Sequence, residues 1–407
     1  MAKRLRILQL SPQFPYPSDD GGKIGIANIF QEFSGQGNEV HFFCATNRQI
    51  SQEARIEAEK YGNIKIVQTQ TSNTIPKILA SLFSDKPLFL SKLYTEKLKL
   101  ELTEFLNNNE IDVIHADHAS MAPLGQLARK ITGKPLGLRM HNIEHLIWER
   151  YSSRFSSYHP ARAYLRRQAK LLKVQESNIF QSCDINFPIT EQDKNFALTM
   201  APKANYRIAS AGVNPNLWLP DDSIQRSQFL LTHASPMDWT QNVEGIRWFL
   251  NNILPVIKAE FTDCELNLIG RQVKEVFGNN ETAGLKPIGY VDKVQPWYNK
   301  ANLYIAPLFV GSGIRIKILE AMAMELPVVA TSIAAEGITG TEREGLFICE
   351  NQYKMIDKIK ELMLDYDRCR ALGKAARKFV IENYSWTNSV SIMIEEYWKL
   401  HEQRSKR

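Results

Sequence analysis

Residues 304–331 read YIAPLFVGSGIRIKILEAMAMELPVVAT. Tyr304–Pro307 has the length and apolarity of a short buried strand, and Pro327–Thr331 of a second one. Between them Gly311-Ser312-Gly313 breaks the pattern, and a helix of about three turns follows. Glycines at a helix start let backbone approach a ligand, and the first free N–H groups point at it. Arg315 and Lys317 put positive charge in the first turn, where the helix dipole prefers a carboxylate. A phosphate bound there accounts for that placement. Glu320 has Ile316, Ala323 and Met324 one turn away, so its carboxylate lies on or beside the buried face. Either it hydrogen-bonds a ligand, or it forms an (i, i+3) pair with Lys317 that contributes a few tenths of a kcal/mol.

Working outward, the same alternation recurs along the chain. Leu5–Leu10, Val40–Ala45, Ile64–Gln68, Val113–His115 and Pro135–Met140 read as strands, with helical stretches such as Ser51–Tyr61 and Ser91–Asn107 between them. That order predicts a doubly wound parallel sheet, in which ligands bind beyond the carboxyl ends of the strands. Phe187-Pro-Ile-Thr190 reads as a further strand end leading into a helix, with Thr190 as N-cap and Asp193 at N3. A second set starts at Phe229–His233 and continues through Glu265–Ile269 and Pro287–Val291. From Met355 the chain reads as helical. The 407 residues suit two domains. The loop AGVNPNLWLPDD marks the linker, so the boundaries fall at 1–212, 213–384 and a final helix over 385–407.

The segment Gly311, Gly313, Arg315, Lys317, Leu319–Ala323 is similar to the GxGxRxKxLEAMA form of the nucleotide-sugar site in retaining glycosyltransferases of the GT-B fold, family four. The resemblance implies an α/β GT-B architecture, two Rossmann-like doubly wound domains facing across a cleft, with the last helix crossing back onto the first. It implies that Gly311, Ser312, Gly313 and Ile314 meet the diphosphate and donor sugar, and that Glu320 binds the ribose hydroxyls. Tyr290 and Val291 would meet the base through backbone groups. Many members carry a Glu where Ser312 stands, and an Arg and a Lys in the loop between Thr232 and Glu244. This chain lacks both features, and Arg315 with Lys317 is the expected replacement for that charge. Arg271, after a strand end, either adds to the phosphate field or is a plain surface residue.

In the first half, Gly21-Gly22-Lys23 sits at a helix start and is either a turn or, as in the family, part of the acceptor side. Five of the eight histidines fall between His115 and His159. His141 and His145 have the spacing of a metal pair on a helix, but no third ligand stands out. His141-Asn142 resembles the His-Asn segment that approaches the donor sugar in these enzymes. Asp117 and His118 fall near the acceptor-side position. His141 and Asp117 are therefore the catalytic candidates, with Asp117 the best choice of base. The alternative for each histidine is a strand-end residue held by hydrogen bonds.

Charge is uneven. Residues 1–212 hold 27 Lys+Arg and 20 Asp+Glu, a balance of +7, against 23 and 24, or −1, in the remainder. Arg150–Lys173 carries seven basic residues and no acid. Either it is a solvated helix face or it lies on an anionic membrane. Asp365-Tyr-Asp367 has the DxD form of metal-dependent transferases but falls in a helical charged run and reads as surface. Five scattered cysteines with no CxxC suggest a reducing cytosol and no structural zinc. No apolar run nears the ~20 residues of a span, and MAKRLRILQL lacks a signal-peptide core.

The expected activity is transfer of a sugar from a nucleotide sugar to a saccharide or lipid-linked acceptor. It would use no metal or other cofactor, in the cytoplasm or on the inner face of its membrane. A nucleotide-sugar epimerase of the same architecture would need an acid pair that is not evident. A nucleic-acid-binding protein would need a stacking or helix-turn-helix motif. A nicotinamide enzyme would need GxGxxG after Leu5–Leu10. An inactive paralogue stays open through Ser312 and the missing Arg/Lys pair.

Overall fold

Alternate residues of a strand point to opposite faces, so a strand covered on both sides must be apolar throughout. The central strands of this chain meet that condition, and the computed structural model pairs them as the pattern requires. It describes residues 4–18, 21–70, 74–153, 155–279, 281, 283–310 and 313–405.

Among the described residues twelve strands form two sheets. The first contains β1 (Arg6–Ser11), β2 (Glu39–Thr46), β3 (Asn63–Gln68), β4 (Val113–Asp117), β5 (Leu136–Met140) and β6 (Ile185–Pro188) in the order β3-β2-β1-β4-β5-β6. The second contains β7 (Leu230–Ala234), β8 (Glu265–Ile269), β9 (Leu285–Gly289), β10 (Leu303–Ala306), β11 (Val328–Thr331) and β12 (Leu346–Cys349) in the order β12-β11-β10-β7-β8-β9. Neighbours pair in parallel. Each order reverses beside the first strand of its sheet, between β1 and β4 and between β7 and β10. Both sheets are thus doubly wound in the same sense, and each has one switch point where a ligand crevice opens. The strand β12 went unread, because four apolar residues after the polar run 340–345 carry no period of their own.

Residues 1–210 with 386–407 make one compact unit, and 211–385 the other. In the second unit the faces separate cleanly: Tyr304, Ala306, Val328 and Ala330 pack with Ile318, Leu319 and Met322, while Leu303, Ile305 and Val329 pack with Phe249, Ile257 and Met355. In the first unit, the helices Gly21–Gly35 and Trp386–Ser405 share one face of the sheet. Phe33 and Tyr397 both meet His115 there. The apolar residues of the other face pack with Leu98, Leu102, Leu172 and Phe180.

Several boundaries differ from expectation. The helix after the glycine loop spans Ile316–Ala323, shorter than three turns, with Arg315 as its N-cap. The strand expected over Pro287–Val291 ends at Gly289, which has a φ of 88°. Gly21-Gly22-Lys23, expected at a helix start, belong to the helix Gly21–Gly35 itself. Thr190 caps Glu191–Met200 as its sequence implied, accepting from the Asp193 N–H at 2.9 Å.

Candidate functional site

The second unit gathers its polar groups at the carboxyl edge of its sheet, around the switch point between β7 and β10. β7 leads into the helix Thr240–Asn252, and β10 leads through the glycine loop into Ile316–Ala323. These segments pass at close range. A Cβ at Gly245 would lie 1.9 Å from the Pro307 carbonyl oxygen, and one at Gly270 would lie 2.0 Å from that of Ser235. Within this frame the His233 imidazole is fully buried. Its Nδ1–H donates to the Ile305 carbonyl (2.7 Å), which leaves Nε2 to accept from the Ser235 hydroxyl (2.6 Å). Burial, with Lys317 nearby, pushes this imidazole down to about 3, so it stays neutral.

Lys317 points from its helix toward the first turn of the helix Thr240–Asn252, where its amine meets the Asn242 side-chain oxygen at 3.5 Å. Asn242 is held in turn by donating to the Pro236 carbonyl (2.8 Å). Among the described residues Lys317 and Glu320 form no ion pair, and the Glu320 carboxylate has no hydrogen-bond donor, which removes the simple (i, i+3) pairing as an account of either. Both keep part of their surface open. Desolvation pushes the Glu320 carboxyl up to about 7, and desolvation with the adjacent Arg315 brings the Lys317 amine down to about 7. Two opposite charges lie near one another on this short helix without an ion pair, Lys317 reaching the Asn242 oxygen and Glu320 accepting no hydrogen bond among the described residues. That arrangement is costly for the free protein and suited to an anionic, hydroxyl-bearing ligand.

Arg315 donates to the Gly313 carbonyl at 2.8 Å, and Gly313 has a φ of 76°. Gly311 and Ser312 lie outside the described residues. Ile314 is half-buried. Arg271 follows β8 and pairs with Asp238 at 3.2 Å, both of them part-exposed. Tyr290 is exposed and Val291 half-buried, immediately beyond β9. All of these residues follow strand ends on one edge of one parallel sheet.

In the first unit, strand register builds a second cluster. Asp117 at the end of β4 lies opposite Arg139 on β5. Both side chains are buried, with Asp117 wholly enclosed. Its Oδ1 accepts from Arg139 Nη1 (3.0 Å) and His141 Nε2 (2.8 Å), and its Oδ2 accepts from the Gln9 amide (2.8 Å). Burial alone would raise this carboxyl, but Arg139 and His141 hold it well below the usual range. Arg139 Nη1 also lies 2.9 Å from His141 Nε2; assigning the Nε2 hydrogen to the Asp117 carboxylate leaves a lone pair on Nδ1, which makes no hydrogen bond among the described residues. Burial and Arg139 bring the His141 imidazole down to about 4, so it remains neutral near pH 7. Its side chain is 12% exposed.

His118, with a φ of 136°, lies ring to ring with His141 at 5.0 Å. Its Nδ1 accepts from the Ser120 N–H at 3.2 Å, and its Nε2 faces Glu144 at 3.4 Å. His145, the other member of the expected metal spacing, points elsewhere. Its Nδ1 meets Glu176 at 2.7 Å, and that same carboxylate accepts the backbone N–H groups of Glu144 (2.8 Å) and His145 (3.1 Å). His145 is thus tied into a helix cap. No group of three metal-ligating side chains occurs among the described residues. Gly21 and Gly22 form the first turn of their helix, and Lys23 is buried with its amine on the Pro17 carbonyl at 3.4 Å. Asp365 serves as the N-cap of Tyr366–Asn383, accepting from the Arg368 N–H at 3.0 Å, which explains the DxD spacing as helix chemistry.

Sequence reasoning passed over Gln9, Arg139, His233 and Asn242. Arg139 had a signal: an arginine within an otherwise apolar strand, LGLRM, needs a buried partner. Asn242 had none.

Residues 228–365 match the family model for glycosyl transferases group 1. A protein of the cps region of Klebsiella pneumoniae, described as an uncharacterized 44.6 kDa protein, is 21% identical over 96% of this chain and 99% of its own. Among solved structures, sucrose-phosphate synthase from Thermosynechococcus elongatus superposes with a TM-score of 0.69 at 16% identity, covering 98% of this chain and 99% of the other. The Anabaena protein Alr3699/HepE, in complex with UDP and glucose, gives 0.66 at 13%, covering 97% and 100%. With two doubly wound sheets of like order, superposition over nearly its whole length and a group 1 match across its second unit, the chain has the fold of the GT-B glycosyltransferase superfamily.

Proposed function

We propose that this protein transfers a sugar from a nucleoside-diphosphate sugar to a hydroxyl of a saccharide or lipid-linked acceptor, with retention at the anomeric carbon. The observation that carries this reading is the pairless Lys317 and Glu320 at the switch point of the second unit. Lys317 and Arg315 would neutralise the diphosphate with the free N–H groups of the Ile316–Ala323 helix, replacing the Arg and Lys missing after β7. Glu320 would accept the ribose hydroxyls. Tyr290 and Val291 would meet the base, and Gly313 and Ile314 the phosphates and sugar, with Gly311 and Ser312 assigned to the same role from their sequence. Arg271, already paired with Asp238, contributes least.

In the reaction the bond from the anomeric carbon to the phosphate oxygen breaks, and a bond to the acceptor oxygen forms. The acceptor proton leaves with the diphosphate or to water. Protein cations supply the charge neutralisation, and no metal is needed in this scheme. From the first unit His141 would accept a hydrogen bond from a sugar hydroxyl through its free Nδ1. Asp117 acts through His141 as a positioning residue. A carboxylate wholly enclosed and holding three donors is a poor base for an acceptor, which corrects the role expected for it. His118, Gly21 and Gly22 stay on the acceptor side of the scheme, while the buried Lys23 is structural. The relative from a cps region supports a role in cell-surface polysaccharide synthesis, which would place the protein in the cytoplasm.

Calorimetry with uridine, guanosine, adenosine and thymidine diphosphates and their sugars tests the reading. The Anabaena complex makes UDP the first choice. One nucleotide should bind selectively, with affinity lowered about tenfold or more in Glu320→Ala. Absence of binding to all four would refute the reading.

A further inference from the structure

The helix Ile75–Leu82 in the first unit ends in an unusual surface. Leu79 is 55% exposed, Leu82 41%, and Phe83, its C-cap residue, 91%. Leaving such side chains in water forgoes the stabilisation that burial would contribute. The helix is nonetheless firmly seated. Arg167 of the long helix Pro160–Ser182 donates to the carbonyls of Ser81 (3.0 Å) and Ser84 (2.9 Å), and Tyr164 meets the Ser81 hydroxyl at 2.8 Å. Gln168 of the same helix accepts the Leu88 N–H at 2.9 Å. The apolar tip is therefore held outward by polar contacts on its other side.

The basic helix shows the complementary half. Its outward positions include Arg166, Lys170 and Lys173, with Arg166 one step round from the anchoring Arg167. Long apolar side chains are scarce on that face, where Val174 is the single aliphatic one exposed among the described residues. Lys86 lies three residues beyond Phe83 and is exposed. Residues 75–95 carry three Lys/Arg and one acid, Asp85; residues 150–175 carry seven Lys/Arg and none. An apolar tip followed by exposed Lys86, anchored to a helix that exposes Arg166 and Lys170, is complementary to an anionic bilayer surface. Each cation near such a surface adds attraction to the headgroups, and the apolar tip adds insertion. An apolar protein partner would leave the exposed Lys86, Arg166 and Lys170 without a counter-charge. No described helix is long and apolar enough to cross a membrane, so contact would be at the interface.

We infer that the first unit docks on anionic lipid by inserting Leu79, Leu82 and Phe83 while Lys86, Arg166 and Lys170 face the headgroups. This differs from the sequence-based picture, in which the basic helix itself supplied the amphipathic face. The inference stands independently of the proposed reaction.

All five cysteines are buried, so an environment-sensitive fluorophore on Leu79→Cys of the full chain reports one site. On vesicles containing phosphatidylglycerol at low salt the probe should shift to the blue, with no shift on phosphatidylcholine alone and a weaker one at high salt. Flotation should show affinity lowered about tenfold in Leu82→Ser/Phe83→Ser, with an unchanged melting temperature because both residues are exposed. Three results would overturn the inference: no flotation at low salt, equal flotation of the double variant, or flotation with a probe that stays in water. The last would put the contact on the basic helix alone.

Discussion

Asp117 and Arg139 show how a buried pair can be structural and functional together. Taking two charges out of water is costly, and they persist because Gln9 and His141 complete the hydrogen bonding. Removing one charge leaves the other stranded. Asp117→Asn should lower stability by about 3–5 kcal/mol in urea unfolding of the first unit, and Asp117→Leu/Arg139→Met should recover most of the loss. Glu320 predicts the opposite balance. Its folded-state carboxyl titrates at about 7, above the unfolded value, so the folded form loses stability relative to the unfolded as pH rises toward 7. Glu320→Gln should therefore raise the melting temperature at pH 8 by about 2–4 °C while weakening nucleotide binding at least tenfold. Scanning calorimetry and titration on one preparation separate the two effects.

At the scale of elements, close approach decides the switch point of the second unit. The helix Thr240–Asn252 passes the Pro307 carbonyl with only a glycine between them. Gly245→Ala must push helix and strand apart, because the obstructing atom is backbone. A loss of about 2 kcal/mol or more is expected, together with weaker nucleotide binding, since Asn242 on that helix anchors Lys317. Denaturant midpoints with and without nucleotide measure both. A similar constraint operates where the last helix of the chain, Trp386–Ser405, meets the first sheet: a Cβ at Gly137 would lie 2.4 Å from the Tyr397 hydroxyl.

For the whole molecule, buried neutral histidines set the acid limit. His115 is held down to about 4 and His233 to about 3, both chiefly by burial. Unfolding lets each return toward its ordinary value near 6.5. The unfolded chain then binds more protons between those values, so stability is lost as pH falls from about 6.5 toward 4. Each unit contains at least one such group. In the second unit the raised Glu320 carboxyl gains stability as pH falls and offsets the loss at His233, so the effect is read in the first unit, where urea unfolding at pH 5 should cost about 2 kcal/mol relative to pH 7 through His115. A flat profile there over that range would show this imidazole to be charged in the folded state.

Much of this protein is legible along the chain, because its determinants are local. Period and length mark eleven of the twelve strands, Thr190 marks a cap, and the segment 304–331 marks the nucleotide-type loop. Arg315, Lys317 and Glu320 stand out because their charges contradict a helix start and a buried face. What the chain could not reveal depends on register between distant segments. Asp117 faces Arg139 only because β4 and β5 pair with that alignment, which turns an expected base into a support for His141. Asn242 meets Lys317 only because β7 and β10 are neighbours across a reversal of strand order. The apolar residues Leu79, Leu82 and Phe83 carry no mark of exposure in their own sequence. Its exposure is decided by Arg167 and Tyr164, which hold the other side of that helix from more than eighty residues away. Side-chain pattern selects the elements; pairing across the sheet selects which side chains meet.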